Sequence, residues 1–303
     1  MTVTLKKDDF YFLHEIGCGS FSTVYCCSRK LTDKRCAIKC VLKRQIIRER
    51  KTEQIYREKA AMVLLSTDGN LHPFIVQLMS TFQDTDMLYF VMTLAEKKDV
   101  KHLLKKHLKF SVDNTKFIIS ELTEALSHIH KLKVCHRDVK PENLLLTASG
   151  HILLSDFGCA KIIGAPEPPN NIDPKARRRA SFVGTAEYVT PEILNGLDTE
   201  YSVDFWAMGI CLFQFLVGKT PFNDISEYLI FQRVMTLLFD FPPTFQDPLA
   251  KTLIQQVIVV DVKERLGSEF KGGYQVVKEH PYFAEVNWET LPNQTSPILS
   301  LMN

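Results

Sequence analysis

The chain has 303 residues, of which 45% are hydrophobic and 24% are charged, and its formal net charge is +2. These values are typical of a globular protein with one large domain or two moderate ones, and they exclude extensive disorder. A net charge this small creates no overall field that would attract nucleic acid, so we expect no nucleic-acid partner.

The N-terminus, the cysteines and the most apolar stretch indicate the compartment. The chain begins MTVTLKKDDF, with charged residues where a signal peptide needs an apolar run. The eight cysteines are scattered without a CxxC pair, which favours reduced thiols. Phe205–Gly218 is too short to span a bilayer and contains Gln214, so it is typical of a buried core helix. We therefore expect a soluble, cytoplasmic protein.

The first third of the chain predicts a small β-rich lobe. Apolar, β-branched and aromatic residues dominate from Phe10 to Lys39 and are interrupted by IGCGSFSTVY and LTDKR, which predicts an antiparallel sheet with hairpin turns. Lys43–Leu65 places Ile55 and Met62 at helical spacing among charged residues, which predicts one amphipathic helix. Two further strands are predicted in IVQLMSTFQ and MLYFVMTL.

The first turn of this sheet has the spacing of a phosphate-binding loop. Gly17-x-Gly19-x-x-Ser22 lies between two strand-like runs, and glycines let backbone N–H groups approach a phosphate closely. No GK[ST] follows, which excludes a Walker loop, and a plain hairpin turn remains an equal alternative. Lys39 on the next strand is either a snorkelling surface lysine or a phosphate ligand paired with Glu58.

A larger helical lobe is predicted after these strands. The stretches DVKHLLKKHL and TKFIISELTEALSHIHKL have helical character, and the boundary falls near Thr93–Lys98. We therefore expect a single domain over residues 1–303, with an N-lobe at about 8–92, a hinge at 93–98 and a C-lobe at about 99–290. Ala165–Pro174 is rich in proline and asparagine, which predicts an irregular loop.

The strongest chemical signal lies in the C-lobe. Residues 136–143 read HRDVKPEN, followed by DFG at 156–158 and TPE at 190–192. In this order the set resembles the signature of the eukaryotic protein kinases, with DVKPEN typical of serine/threonine kinases. The resemblance implies an α+β, bilobal protein kinase fold with a β-rich N-lobe, one main N-lobe helix and a larger helical C-lobe. It also implies ATP and Mg²⁺ as cofactors.

The resemblance assigns catalytic roles that suit phosphoryl transfer, which needs positioning and charge neutralisation more than covalent help. Lys39, held by Glu58, would orient the α- and β-phosphates. Asp138 would accept or orient the substrate hydroxyl, and Lys140 would neutralise charge near the γ-phosphate. Asn143 would join Asp156 as a ligand of Mg²⁺, because that ion prefers oxygen donors.

The nucleotide pocket follows from the same resemblance. Met92 would be the gatekeeper before the hinge, although it is equally compatible with ordinary core packing. Ser22 replaces the usual third glycine of the loop, and Asp99 replaces a longer ribose-contacting glutamate. The residues expected to contact ATP are Ile16, Gly17, Gly19, Ser20, Phe21, Ser22, Val24, Ala37, Lys39, Met92, Thr93, Ala95, Asp99, Glu142 and Leu145.

Three further positions match the kinase pattern away from the nucleotide. Thr185 matches the substrate loop, Asp204 matches the support of the catalytic loop, and Arg265 matches the partner of Glu192. For Asp204 and Arg265 we expect a structural role.

Other stretches, including LKRQIIRER, SFVGTAEYV and EYLIFQ, narrow the resemblance to the AGC-group kinases that phosphorylate other AGC kinases on activation-loop Ser or Thr. No hydrophobic motif of its own precedes Asn303, so a small-lobe groove would be open to a substrate kinase's hydrophobic-motif tail. Plain packing of the lobe is the alternative. Lys59, Thr81 and Gln83 would bind the phosphate of that tail. The residues assigned to this docking groove are Lys43, Ile46, Ile47, Ile55, Lys59, Thr81, Gln83, Leu88 and Phe90.

Members of this branch usually carry a C-terminal pleckstrin-homology domain that binds phosphoinositides, and we expect none in this chain. Direct membrane binding is therefore not expected, and partners would recruit the protein to the plasma membrane. Two other functions remain open: a pseudokinase scaffold that binds partner kinases, and a basophilic AGC kinase with different substrates.

Ser181 lies in RRRASFVGTAEY, at the position of an activation-loop phosphosite. The arginines suit a basophilic kinase, whereas Ser181-Phe-Val-Gly-Thr resembles the T-F-x-G-T target implied for this branch, which favours autophosphorylation. Its phosphate would be received by Arg57, Arg137 and Lys161, and would order the loop.

Overall fold

The computed structural model describes residues 5–19, 21–165 and 186–302. These residues form a β-sheet lobe followed by a helical lobe, which confirms the expected fold class. The helices, in chain order, are α1 (Lys43–Arg48), α2 (Thr52–Leu65), α3 (Val100–His107), α4 (Val112–Lys131), α5 (Pro191–Leu194), α6 (Ser202–Val217), α7 (Glu227–Thr236), α8 (Pro248–Val257), α9 (Gly273–Lys278) and α10 (Leu299–Met302).

The N-lobe is built on one antiparallel sheet with strand order β1-β2-β3-β5-β4. Its strands are β1 (Phe10–Cys18), β2 (Ser22–Arg29), β3 (Arg35–Leu42), β4 (Leu78–Gln83) and β5 (Met87–Met92). The register places Lys39 of β3 opposite Val24 of β2 and Phe90 of β5, while Ala37 faces Met92. Because side chains alternate along a strand, Ala37 and Lys39 point to the same face of the sheet.

The helix expected over Lys43–Leu65 is two helices, which corrects that prediction. Arg50 lies between α1 and α2 with φ of 56°, a left-handed conformation that interrupts a right-handed helix. The amide of Lys51 returns to the carbonyl of Ile46, so the turn closes α1 before α2 begins. The hydrophobic periodicity of Lys43–Leu65 did not indicate this break between the two helices.

The C-lobe is centred on α4 and α6, which pack against each other. Most side chains of α6 are buried, as expected for Phe205–Gly218. Short strands carry the loops between these helices: β6 (Val134–Cys135), β7 (Leu144–Leu146), β8 (Ile152–Leu154) and β9 (Lys161–Ile162). Within the described ranges, no helix is both long enough and apolar enough to cross a bilayer.

The hinge shares backbone hydrogen bonds with β7 of the C-lobe. The amide of Lys97 donates to Leu146 O at 3.0 Å, and the amide of Leu146 donates to Lys98 O at 3.1 Å. One hydrophobic cluster runs through both lobes, from Val41 and Met62 to Leu154 and Phe213. Strand β8 is also tied to the N-lobe by backbone hydrogen bonds, since the amide of Val76 donates to Leu154 O at 3.0 Å and the amide of Leu154 donates to Phe74 O at 2.8 Å.

Candidate active site

Lys39 and Glu58 form an ion pair between the N-lobe sheet and helix α2. The Nζ of Lys39 donates to Oε1 of Glu58 at 2.5 Å, and the side chains are 15% and 3% exposed. Glu58 lies on the buried face of α2 with Ile55, Ala61 and Met62, so the packing of the helix directs the carboxylate at β3. Burial alone would lower the pKa of Lys39, but the Glu58 carboxylate raises it, so the lysine keeps its charge.

The catalytic loop holds its acidic residue with two neighbouring side chains. The Nζ of Lys140 donates to both carboxylate oxygens of Asp138, at 2.9 and 2.8 Å. The Nδ2 of Asn143 donates to the carbonyl of Asp138 at 2.7 Å and to its Oδ2 at 3.0 Å. Burial raises the pKa of Asp138 and the charge of Lys140 opposes the rise, leaving it above the ordinary value. The carboxylate is thus oriented before any substrate arrives.

Asp204 on α6 is fully buried and accepts hydrogen bonds from the backbone of the catalytic loop. Its Oδ2 accepts hydrogen bonds from the amide of His136 and from His130 Nε2, each at 2.8 Å, and its Oδ1 accepts from the amide of Arg137 at 2.7 Å. Arg137 has a φ of 65°, and these bonds hold it in that left-handed conformation. The structural role expected for Asp204 is confirmed, whereas its second partner, His130, was not foreseen.

Asp156 begins the DFG turn in the left-handed region, with φ of 61°. Its Oδ1 accepts from the amide of Gly158 at 3.3 Å. Burial opposes ionisation, but the charges of Lys39, His136 and Lys140 and the hydrogen bond from Gly158 together lower the pKa of Asp156 below its ordinary value. A Cβ at Gly158 would lie 3.1 Å from Asp156 Oδ1 and 3.2 Å from Gln54 Nε2, so glycine permits the close approach of α2.

The donor set around this turn fits Mg²⁺. Asp156 presents an ionised carboxylate, and the amide of Asn143 donates through Nδ2, which leaves its oxygen to accept or to ligate. A carboxylate and an amide oxygen are ligands that Mg²⁺ prefers. Asp156 interacts electrostatically with both Lys39 and Asp138, so these groups share one cleft.

The glycine-loop residues lie where β1 turns into β2. Gly17 is opposite Val24, and the amide of Gly19 donates to Ser22 O at 2.7 Å, which closes the turn. Ser20 lies outside the described residues. Ile16 is exposed on β1, and Phe21 packs against the main core.

The hinge side of the pocket is lined from both lobes. Met92 and Ala95 pack against the core cluster, and Leu145 pairs with Asp99 in an isolated bridge. The amide of Thr93 donates to Gln77 O at 3.0 Å. Asp99 caps α3, with Oδ1 accepting from the amide of His102 at 2.8 Å. The other carboxylate oxygen of Asp99, Oδ2, does not accept this hydrogen bond from His102.

Glu142, expected at the nucleotide, forms an ion pair with Lys101 of α3. Sequence reasoning did not identify Lys101, whose partner is 41 residues away. Arg265 forms two hydrogen bonds with Glu192, at 2.6 and 2.9 Å, and both residues are buried. The expected structural pairing of Arg265 with Glu192 is confirmed.

The residues expected to receive a phosphate lie on adjoining elements. The Nε of Arg137 donates to Cys159 O at 2.6 Å, and Lys161 pairs with Cys135 in the β6–β9 ladder. Helix α2, which carries Arg57, contacts β9. Ser181 and Thr185 lie outside the described residues.

The predicted docking groove combines buried and exposed residues. Ile46, Ile55 and Phe90 belong to the main core cluster, and Leu88 packs against it. Ile47 is 70% exposed, and Lys59 and Gln83 are also exposed. Thr81 pairs with Phe90, Gln83 pairs with Leu88, and the Nζ of Lys43 donates to Asp84 O at 2.6 Å. The buried members form the floor of this surface rather than its open face.

Comparison with known proteins gives the class first. Residues 10–283 match the protein kinase domain, and the chain belongs to the protein kinase family. Within it, the chain is 40% identical over 295 residues to the rat (Rattus norvegicus) "3-phosphoinositide-dependent protein kinase 1", covering 97% of this chain and 50% of the relative. It is also 40% identical to the human (Homo sapiens) "Putative 3-phosphoinositide-dependent protein kinase 2", covering 97% of this chain and 71% of that protein.

A plant relative shows the same relationship. The Arabidopsis thaliana "3-phosphoinositide-dependent protein kinase 1" is 38% identical over 296 residues, covering 96% of this chain and 58% of the relative. The chain spans about half the length of the rat and human kinases named 1. The resemblance recognised in the sequence is therefore confirmed at the level of the family.

Proposed function

We propose that this chain is a Mg²⁺- and ATP-dependent serine/threonine protein kinase. The observation that carries the proposal is the orientation of Asp138 by Lys140 and Asn143, with Lys39 and Asp156 charged in the same cleft. Membership of the protein kinase family and the names of the relatives support it.

Each side chain has a task that its geometry suits. Asp138 accepts a hydrogen bond from the substrate hydroxyl, orients its oxygen and takes up its proton as the new O–P bond forms and the bond to ADP breaks. Lys39, which Glu58 keeps charged and in place, binds phosphate oxygens. Lys140 is positioned to neutralise charge on the transferring group as well as on Asp138. A bound Mg²⁺, held by Asp156 and Asn143, would supply charge neutralisation at the phosphates.

The reaction is tested with peptides of the T-F-x-G-T type whose acceptor is Thr, Ser, Tyr or Val. Mass spectrometry after incubation with Mg-ATP should show phosphate on the Thr and Ser peptides and none on the Val peptide. Omission of Mg²⁺ should stop the transfer. Absence of transfer above the level of an Asp138→Asn variant would support a scaffold without catalysis.

We propose activation-loop Ser or Thr of other AGC kinases as the substrate class. Support comes from SFVGTAEYV and EYLIFQ in this chain and from its similarity to kinases named 3-phosphoinositide-dependent. An inactive AGC kinase domain serves as the test substrate, with the same domain carrying Ala at the activation-loop position as the control. Equal phosphorylation of the two would contradict this substrate class.

We propose that the docking-groove surface binds the hydrophobic-motif tail of such a substrate. Ile47 on α1 offers an apolar contact that is 70% exposed, and Lys59 on α2 is also exposed. Ile47→Glu should abolish stimulation by an added hydrophobic-motif peptide. Leu31→Glu is the matched control, because Leu31 is 84% exposed on the same lobe outside the groove. If both variants responded like the wild type, the docking assignment would be wrong.

We propose that Ser181 is autophosphorylated by a second copy of the chain, and that Arg57, Arg137 and Lys161 receive the phosphate. Similarity of its surroundings to T-F-x-G-T supports this. Wild-type protein should phosphorylate Ser181 of an Asp138→Asn copy of different mass, whereas the variant alone should stay unmodified.

We further propose a cytoplasmic location, with partners providing any contact with the plasma membrane. A net charge of +2 supplies little electrostatic attraction to an anionic surface. Sedimentation with phosphoinositide-containing vesicles should leave the chain in the supernatant.

A further inference from the structure

The ion pair of Lys101 with Glu142 joins α3 to the catalytic loop. Glu142 lies in the short 3₁₀ helix Pro141–Asn143, which α3 packs against. The next residue, Asn143, donates to the carboxylate of Asp138. The side chains of Lys101 and Glu142 are 43% and 26% exposed, so both remain in contact with solvent.

Glu142 is also close to other groups of the cleft. Its carboxylate interacts electrostatically with Lys140 and with Tyr188. Tyr188 belongs to the short helix Ala186–Tyr188, the first described element after the activation-loop sequence. Because Asn143, the neighbour of Glu142 in the chain, hydrogen-bonds the carboxylate of Asp138, a polypeptide that presents a hydroxyl to Asp138 comes close to Glu142.

An unpaired carboxylate at this position would attract Arg or Lys of the substrate, since charge-assisted hydrogen bonds are the strong ones. The ammonium of Lys101 forms an ion pair with that carboxylate instead. Helix α3 reads VKHLLKKH and contains no acidic residue, and the carboxylate of Asp99 at its N-cap accepts a hydrogen bond from the amide of His102. The surface that this ion pair and α3 form beside the phosphoacceptor therefore has a neutral to positive charge.

We infer that Lys101 is a specificity-determining residue that makes the substrate cleft reject Arg and Lys beside the phosphoacceptor. This inference rests on the proposed kinase activity. We therefore expect this chain to prefer substrates with neutral or acidic residues beside the phosphoacceptor, unlike the basophilic kinases. A purely structural ion pair between α3 and the loop would affect stability without affecting this preference.

The experiment compares kcat/KM for T-F-x-G-T peptides that carry Arg, Ala or Glu in turn at each position flanking the acceptor. Wild-type protein should prefer Ala and Glu to Arg at the position that contacts Glu142. In Lys101→Met the ratio of kcat/KM for the Arg peptide to that for the Ala peptide should rise about fivefold at this position, the effect of one partly exposed charge pair. Lys101→Arg should keep the wild-type ratio.

Lys105→Met is the matched control, because Lys105 is an exposed lysine on the same helix. Its ratio should stay within about twofold of the wild type, as expected for a surface substitution. Thermal unfolding of each variant identifies any general loss of structure. An unchanged ratio in Lys101→Met, or an equal rise in Lys105→Met, overturns the inference while the kinase activity on the Ala peptide still stands. No transfer to any peptide by the wild type would overturn the proposed function, and this inference with it.

Discussion

The two halves of the candidate active site are held in different ways. The C-lobe half is the catalytic loop, which Asp204 supports with two backbone hydrogen bonds and a third from His130. The N-lobe half depends on the ion pair between Lys39 and Glu58, whose partners lie on separate elements, β3 and α2. The first arrangement is built on one fully buried residue of the core, whereas the second requires α2 and β3 to keep their positions relative to each other. Orientation of Asp138 therefore depends on the C-lobe alone, and orientation of Lys39 depends on the packing of two N-lobe elements.

Replacement of Asp204 should produce the largest effect. Asp204→Ala leaves two backbone amides and the buried His130 without their acceptor, so the free energy of unfolding should fall by about 3–5 kcal/mol. Chemical denaturation measures the change. Asp198→Ala, at an exposed acid of the same lobe, should change it by less than about 0.5 kcal/mol. A small effect at Asp204 would show that the C-lobe half is not built into the core.

Replacement of Glu58 should impair activity more than stability. Glu58→Gln removes the charge that holds Lys39 but keeps a hydrogen-bonding side chain, so the free energy of unfolding should fall by about 1–2 kcal/mol. Phosphoryl transfer should slow by about 100-fold, because positioning of the phosphates is lost. Denaturation and peptide phosphorylation measured on one preparation give both quantities. A stability loss as large as that of Asp204→Ala would remove the contrast between the lobes.

Gly158 lies where the two halves meet, and its replacement tests their junction. In Gly158→Ala the new Cβ would lie 3.1 Å from Asp156 Oδ1 and 3.2 Å from Gln54 Nε2, so these groups must shift by a few tenths of an ångström. We expect a cost of about 1 kcal/mol, or fivefold in kcat/KM, measured at saturating Mg²⁺. Gly69→Ala is a control in open space on the N-lobe, although its φ of 89° makes the substitution strained. It should alter stability but not kcat/KM.

The smallest effect concerns the support of β8, the strand that precedes Asp156. Glu121 of α4 accepts from the amide of Ile152 at 2.9 Å and from His151 Nδ1 at 2.5 Å. The hydrogen bond to Glu121 raises the pKa of His151 above its ordinary value. The stabilisation is therefore complete below the unfolded-state pKa, near 6.5, and is lost as pH rises through the higher folded-state pKa.

The free energy of unfolding of the wild type should thus exceed that of His151→Asn by about 1 kcal/mol at pH 6. The difference should shrink by pH 9. His102→Asn, at an exposed histidine, provides the comparison. A difference that grew with pH would contradict the assignment.

Motif spacing predicted the fold and most of the site because the catalytic groups lie close together in sequence. Asp138, Lys140 and Asn143 occupy one loop, so the match to HRDVKPEN located all three at once. The family comparison confirmed the class on which those assignments rest. Likewise, the runs of apolar, β-branched and aromatic residues between turn-like segments predicted the sheet, and the apolar stretch Phe205–Gly218 predicted the buried character of α6.

Contacts between elements that are far apart in sequence could not be predicted from motif spacing or periodicity. The break at Arg50 depends on one backbone conformation that no periodicity encodes. Lys101 meets Glu142 across 41 residues, and His130 meets Asp204 across 74, where only the packing of helices decides the partner. The docking residues show the same limit, because an isoleucine at helical spacing gives no sign of whether it is buried like Ile46 or exposed like Ile47.

The role of Asp138 is tested most directly by single-turnover phosphoryl transfer to a T-F-x-G-T peptide at saturating Mg-ATP, with wild type and Asp138→Asn in parallel. We expect phosphothreonine formation by the wild type and a rate lower by at least about 100-fold in the variant, because the oriented carboxylate is lost. Equal rates in the two proteins, with both folded, would contradict the assignment of Asp138 and the kinase mechanism built on it.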